Sequence, residues 1–260
     1  MSAIETVKAA RANGRPTGVD FIKNIFEDFF ELHGDRRFGD DKAVISGVAR
    51  LNGMPVTVVV LERGHSTKEK VERNFGSAHP EGYRKVLRQL KLAEKFCRPA
   101  ILFVDTAGAY CGVGAEERGQ GQAIAENLME LMWLKTPVIS VLVGEGGSGG
   151  ALALAVADEV WMLKNAVYSV ISPEGCASIL WKDVSKTAEA AESLKLTADD
   201  LLALGVVERV FTEAEGDFIS LYAQLKDELY KTVQNLSGVD KTLLTQRRYE
   251  RFRRFGVEKA

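Results

Sequence analysis

With 260 residues, 46% of them hydrophobic and 27% charged, the chain has the balance of a globular protein that buries one substantial core. Its 34 basic and 36 acidic side chains leave a formal net charge of -2, too little to hold a polyanion without a local patch, so a nucleic-acid partner is not expected. No apolar run reaches the roughly 18 residues of a membrane span; Met1 to Pro16 lacks the apolar core of a secretory signal, and the widely spaced Cys97, Cys111 and Cys176 suit a reducing, cytoplasmic setting.

Phe21, Ile22, Ile25, Phe26, Phe29 and Phe30 recur at helical spacing, which predicts an amphipathic helix from Val19 to Leu32. The stretch Gly34 to Asp41 ends it. Ala43 to Leu51 and Met54 to Glu62 flank Asn52-Gly53, the pair that a type I′ turn requires, so a β-hairpin is expected. Arg63 to His79 reads as a long loop with room for a helical turn. Pro80 to Phe96 predicts a helix, and Ile101 to Val104 a buried strand. A loop with Gly108, Gly112 and Gly114 leads to a helix from Ala115 to Leu134. The pattern then repeats: a strand from Val138 to Val143, a glycine loop from Gly144 to Gly150, a helix from Ala151 to Ala157, and a strand from Val160 to Leu163. Strand, glycine loop and helix in tandem predict an α/β fold with parallel strands. Helices are expected from Ala188 to Leu204 and from Phe218 to Leu236. The end, Gln246 to Ala260, is basic and aromatic. Its aromatic stripe needs burial, which points to a helix that contacts another subunit.

Gly144-Glu145-Gly146-Gly147-Ser148-Gly149-Gly150-Ala151 is the sharpest feature. A helix N-terminus presents N–H groups without intrahelical partners, and its dipole favours negative charge. Such a loop can stabilise an oxygen that becomes anionic during reaction, or it can simply pack a helix closely on a sheet. Gly144, Gly146 and Gly149 fit a dinucleotide fingerprint, but the next strand ends in Lys164 and Asn165 rather than an acid. The lysine of a phosphate loop is missing. Gly146, Ser148 and Gly150 also fit a nucleophile elbow, although His33, His65 and His79 all precede the serine. Cys111 stands near a helix start with no histidine beside it in sequence.

At these loops the chain resembles one family. The matching blocks are Thr67 to Lys70, Arg73 to Gly76, Pro80 to Lys85, Asp105 to Gly119, Gly144 to Leu154 and Tyr168 to Trp181, in order along the chain. The family is that of acetyl-CoA carboxylase carboxyltransferase alpha subunits. The resemblance implies a crotonase-like fold of repeated ββα units over residues 19–236, after a lead-in over 1–18 and before a basic C-terminal helix over 237–260. It implies transfer of a carboxyl group from carboxybiotin, borne on a biotin carboxyl carrier protein, to acetyl-CoA, giving malonyl-CoA for fatty acid synthesis. ATP would be used by a separate biotin carboxylase. The expected partner is a beta subunit with a zinc ribbon, in an α2β2 assembly; no metal is expected here, and the chain has no C-x-x-C. Ala107 and Cys111 stand where the family usually has proline.

Carboxyl transfer develops charge on the biotin ureido oxygen and on the thioester oxygen. The N–H groups of Gly150 and Ala151 are expected to hold the first, in a loop shaped by Gly146, Gly147 and Gly149. The second falls mainly to the partner. Gly112, Val113 and Gly114, with Lys68, Arg73, Arg84 and Lys85, are expected to contact the substrate, the cations meeting CoA phosphates. A carboxyltransferase-like subunit of a biotin-dependent decarboxylase and a non-catalytic scaffold subunit remain open as alternatives.

Overall fold

The computed structural model describes residues 1–213 and 217–257. Helix α1 (Ala3–Ala10) is closed by a capping box between Ser2 and Glu5. Helix α2 (Gly18–Ile25) buries Phe21, Ile22 and Ile25, then stops. Phe26 is extended, and Glu27–Glu31 forms strand β1 at the sheet edge. The predicted helix to Leu32 is therefore half strand. Phe29 and Phe30 fit a helical stripe by spacing, but main-chain pairing of Phe30 with Val48 decides the conformation.

Strands β2 (Val44–Leu51) and β3 (Met54–Leu61) form the expected hairpin. Asn52 and Gly53 turn it with φ of 48° and 78°. The predicted loop after it contains α3 (Thr67–Glu72) and a 3-10 turn, Asn74–Gly76. Helix α4 (Pro80–Lys95) starts on proline and buries Tyr83, Val86 and Leu90. Strand β4 (Ala100–Thr106) is buried throughout. The single helix predicted next is two, α5 (Val113–Glu117) and α6 (Gln120–Met132), parted by the left-handed Gly119.

Strand β5 (Val138–Gly147) runs four residues beyond its predicted end at Val143, because Glu145–Gly147 pairs with a short strand. Helix α7 (Ser148–Ala155) follows at once. Then come β6 (Glu159–Leu163), β7 (Val167–Ser169) and α8 (Pro173–Leu180). The helix predicted from Ala188 to Leu204 divides into α9 (Thr187–Leu194) and α10 (Ala198–Ala203) at the left-handed Lys195. Strand β8 (Arg209–Phe211), α11 (Phe218–Ser237) and α12 (Lys241–Arg253) complete the described chain.

The sheet order is β1-β2-β3-β4-β5-β6-β8, with β7 alongside the end of β5. The hairpin side is antiparallel and β3 through β8 are parallel, as the tandem pattern predicts. Phe21 stacks on Phe103 at 5.1 Å, tying α2 to the middle of the sheet. Helix α12 docks on its own chain: the buried Arg248 donates to the carbonyls of Leu131, Leu134 and Thr136 and pairs with Asp158. Arg251 does the same with Val206 and Glu208. Part of the basic tail expected to face another subunit is thus spent internally, and Glu258 to Ala260 lie outside the described residues.

Candidate active site

The two glycine loops leave neighbouring parallel strands, with Thr106 of β4 opposite Gly146 of β5. Helix α7 begins three residues before the predicted start, so Gly149 and Gly150 lie in its first turn and Ala151 at its fourth position. Ser148 makes the corner with φ of 52°, a left-handed value that lets a strand turn directly into a helix. Gly147 at the cap offers no side-chain acceptor, which leaves first-turn N–H groups uncapped.

Glycine is required at this corner because the second loop lies on the backbone of the first. A Cβ on Gly147 would sit 2.0 Å from the Ala107 carbonyl oxygen. One on Gly150 would sit 2.5 Å from the Ala109 nitrogen and 2.6 Å from the Gly108 carbonyl carbon. Gly146 is similarly confined, 2.8 Å from Leu142 by the same construction, whereas Gly149 has ordinary space beside Ile124. The first loop is tied by Thr106, whose hydroxyl donates to the Gly108 carbonyl at 2.7 Å and accepts from the Gly108 N–H at 3.1 Å. The Tyr83 hydroxyl points at the same junction, 2.9 Å from the position of a residue-150 Cβ. Burial raises its pKa, with Asp41 adding to the effect.

Beside this corner lies an apolar cavity of about 470 Å³, lined by Ser148, Gly149, Leu152, Tyr168, Phe252 and Phe255. Burial of Tyr168 pushes its hydroxyl up to about 12. Phe252 and Phe255 of the C-terminal stripe line this cavity, while Tyr249 stays exposed and stacks on Trp133 at 6.0 Å.

The expected substrate residues divide. Gly112 caps α5 and Val113 stands 77% exposed beside it, while Gly114 follows within the helix. Lys68 is exposed on α3, and Arg73 donates to the Lys42 carbonyl at 2.6 Å. Arg84 is committed to Asp35 at 2.7 Å and to the Arg118 carbonyl. Lys85 is fully buried and donates to the Val44 carbonyl at 2.7 Å, with Asp40 also 2.7 Å away. Arg84 and Lys85 therefore anchor α4 to the Gly34–Asp41 loop and do not present free cations to a phosphate, contrary to expectation.

Among the described residues no histidine hydrogen-bonds to Ser148. His33 lies 2.9 Å from Asp40 and His65 2.9 Å from Asp20, while His79 stacks on Tyr110 at 4.0 Å. The corner has the strained shape of a nucleophile elbow, but among the described residues no histidine is placed to activate the serine. One cluster is absent from the sequence reading: Arg63, Asp105 and Glu145, joined by Arg11, beneath the two loops. An acid closing an apolar strand, as Asp105 does, and an acid within a glycine run, as Glu145 does, are its only local signals.

Comparison with known proteins shows the family and the fold. The family model described as acetyl co-enzyme A carboxylase carboxyltransferase-like matches residues 1–256. The acetyl-coenzyme A carboxylase carboxyl transferase subunit alpha of Ruminiclostridium cellulolyticum is 62% identical over 257 residues, covering 99% of each chain. Its Streptococcus thermophilus counterpart is 56% identical over 250 residues, covering 96% of this chain and 97% of that one. Among solved structures, transcarboxylase 12S with methylmalonyl-coenzyme A bound has a TM-score of 0.68 at 21% identity, over 88% of this chain and 44% of that chain. A Pseudomonas malonate decarboxylase hetero-tetramer in complex with coenzyme A has a TM-score of 0.66 at 19% identity, over 84% and 91%. These likenesses establish the fold as crotonase-like α/β.

Proposed function

The chain belongs to the acetyl-CoA carboxylase carboxyltransferase alpha-subunit family, and from that premise we propose that the corner between β5 and α7 is where it serves carboxyl transfer. Carboxybiotin supplies the carboxyl group, and its ureido oxygen gains negative charge as the N–C bond to that group breaks. The N–H groups of Gly150 and Ala151 receive that oxygen, at the positive end of α7. Gly146 and Gly147 keep the corner flat against the first loop, and Gly149 opens it to the apolar cavity. The observation that carries this reading is the close backbone approach at Gly150, where even a methyl group would collide with the Ala109 nitrogen and the Gly108 carbonyl carbon of the first loop. A cradle of main-chain N–H groups beside apolar walls suits a neutral cyclic urea, so the residues fit the group.

The acyl-CoA enters along Gly112, Val113 and Gly114, with Lys68 and Arg73 near its phosphates. The thioester oxygen is held mainly by a zinc-ribbon beta subunit, the biotin rides on its carrier protein, and biotin carboxylase uses the ATP, in a cytoplasmic α2β2 assembly. No described helix is long and apolar enough to cross a membrane. With the beta subunit present, malonyl-CoA should drive carboxylation of biocytin, and methylmalonyl-CoA should do so less well. A stable complex that turns over no acyl-CoA would contradict the proposal.

A further inference from the structure

We propose that Arg63 is the positioning residue of the glycine-loop pair: seated between Asp105 at the end of β4 and Glu145 near the end of β5, it joins the strand ends from which both loops spring. The proposal deepens the carboxyl-transfer reading and rests on it.

Arg63 follows β3, with only 16% of its side chain exposed. One guanidinium nitrogen lies 3.6 Å from Asp105 and another pairs with the Glu145 carboxylate. The Glu145 N–H donates to Asp105 at 2.9 Å, which closes a ring across the two strands. Gly144 leaves room for it, since a Cβ there would fall 2.3 Å from an Asp105 oxygen. Arg11 of α1 reaches the other side of Glu145 at 2.7 Å and also holds Glu174 of α8 at 2.6 Å. Other charged groups nearby are engaged: Arg15 with the Val143 carbonyl and Glu213, Glu62 with the amides of Val19 and Gly64, and Lys70 with Asn13. Among the described residues, only Arg63 bridges Asp105 and Glu145.

Burial pushes the Asp105 carboxyl up, against the pull of Arg63 and of the Glu145 amide. Without Arg63, the burial of Asp105 is opposed only by the Glu145 amide and the charge of Arg15, so the Asp105 carboxyl takes up a proton more readily. That proton rejoins the strand ends in acid and is lost as pH rises.

The test uses Arg63→Gln in the complex with the beta subunit, with kcat and KM for malonyl-CoA followed from about pH 6 to about pH 8.5. The expected result is a kcat that falls about tenfold as pH rises, a limb absent in the natural chain, with KM little changed. Arg63→Lys, which keeps the cation, should retain the natural pH profile at lower kcat. Adding Glu145→Gln to Arg63→Gln should flatten the profile again. A loss equal at every pH would reduce Arg63 to a packing residue and overturn the proposal. Infrared spectra of the isolated chain read the same feature without turnover: Arg63→Gln should show a protonated carboxyl at neutral pH that the double variant lacks. Absence of that band overturns the proposal; an inactive natural complex overturns the transfer reading instead.

Discussion

Gly150 decides most at the scale of single residues. A methyl group there would meet the Ala109 nitrogen and the Gly108 carbonyl carbon at 2.5 and 2.6 Å, closer than atoms approach, and both belong to backbone that cannot rotate away. Gly150→Ala should therefore shift one loop off the other and lower kcat about a hundredfold, the scale of losing one oxyanion donor. The KM for malonyl-CoA should change little. Lys68 is the contrasting case. It is exposed on α3, so Lys68→Ala should raise that KM a few-fold with kcat unchanged, read by the same initial-rate assay. An unchanged KM would remove Lys68 from the phosphate contacts.

The loop over Gly34–Asp41 and helix α4 act as one element. Asp35 accepts from the amides of Arg37, Phe38 and Gly39 and from Arg84. Burial pushes its carboxyl up, but these donors overcome that and bring it to about 2. Asp40, held by Lys85, the Gly34 amide and His33 against the same burial, also reaches about 2. Both pKa values lie below those of an unfolded chain, so the stability they add is complete above about pH 4 and is lost as pH falls through about 2. Arg84→Met should move the acid-unfolding midpoint, followed by circular dichroism, to higher pH; an unmoved midpoint would show that the amides alone hold Asp35. This pairing also shows what a sequence can and cannot display. Pro80 and the apolar stripe fix α4 to within a residue, and Asn52-Gly53 fixes the hairpin turn, because those signals are local. Arg84 and Lys85 look like a solvated charge run until Asp35 and Asp40 arrive from another segment. Gly144–Gly147 looks like loop because its strand partners, β4 and β7, are distant along the chain. The glycine corner itself was legible at Gly150, since close backbone approach is what glycine permits there.

Helix α12 is held to the segments that precede β5, β6 and β8, and its Phe252 supplies a wall of the cavity beside the corner. Arg248 is its anchor. Burial pushes Asp158 up, and the charge and hydrogen bonds of Arg248 oppose that. Arg248→Met would strand Asp158 and three carbonyls without their donor, a loss of about 3–5 kcal/mol to be read in a urea titration. A change under about 1 kcal/mol would mean that α12 holds on by its apolar face. Because Phe252 and Phe255 line the cavity with Ser148 and Gly149, the anchor also links the C-terminal helix to the site. The most direct measurement is malonyl-CoA-dependent carboxylation of biocytin by the chain alone, by the chain with the beta subunit, and by the Gly150→Ala chain with that subunit. Turnover in the second sample, none in the first and a near-complete loss in the third are expected. Full turnover by the chain alone, or by the Gly150→Ala mixture, would contradict a shared site centred on this corner.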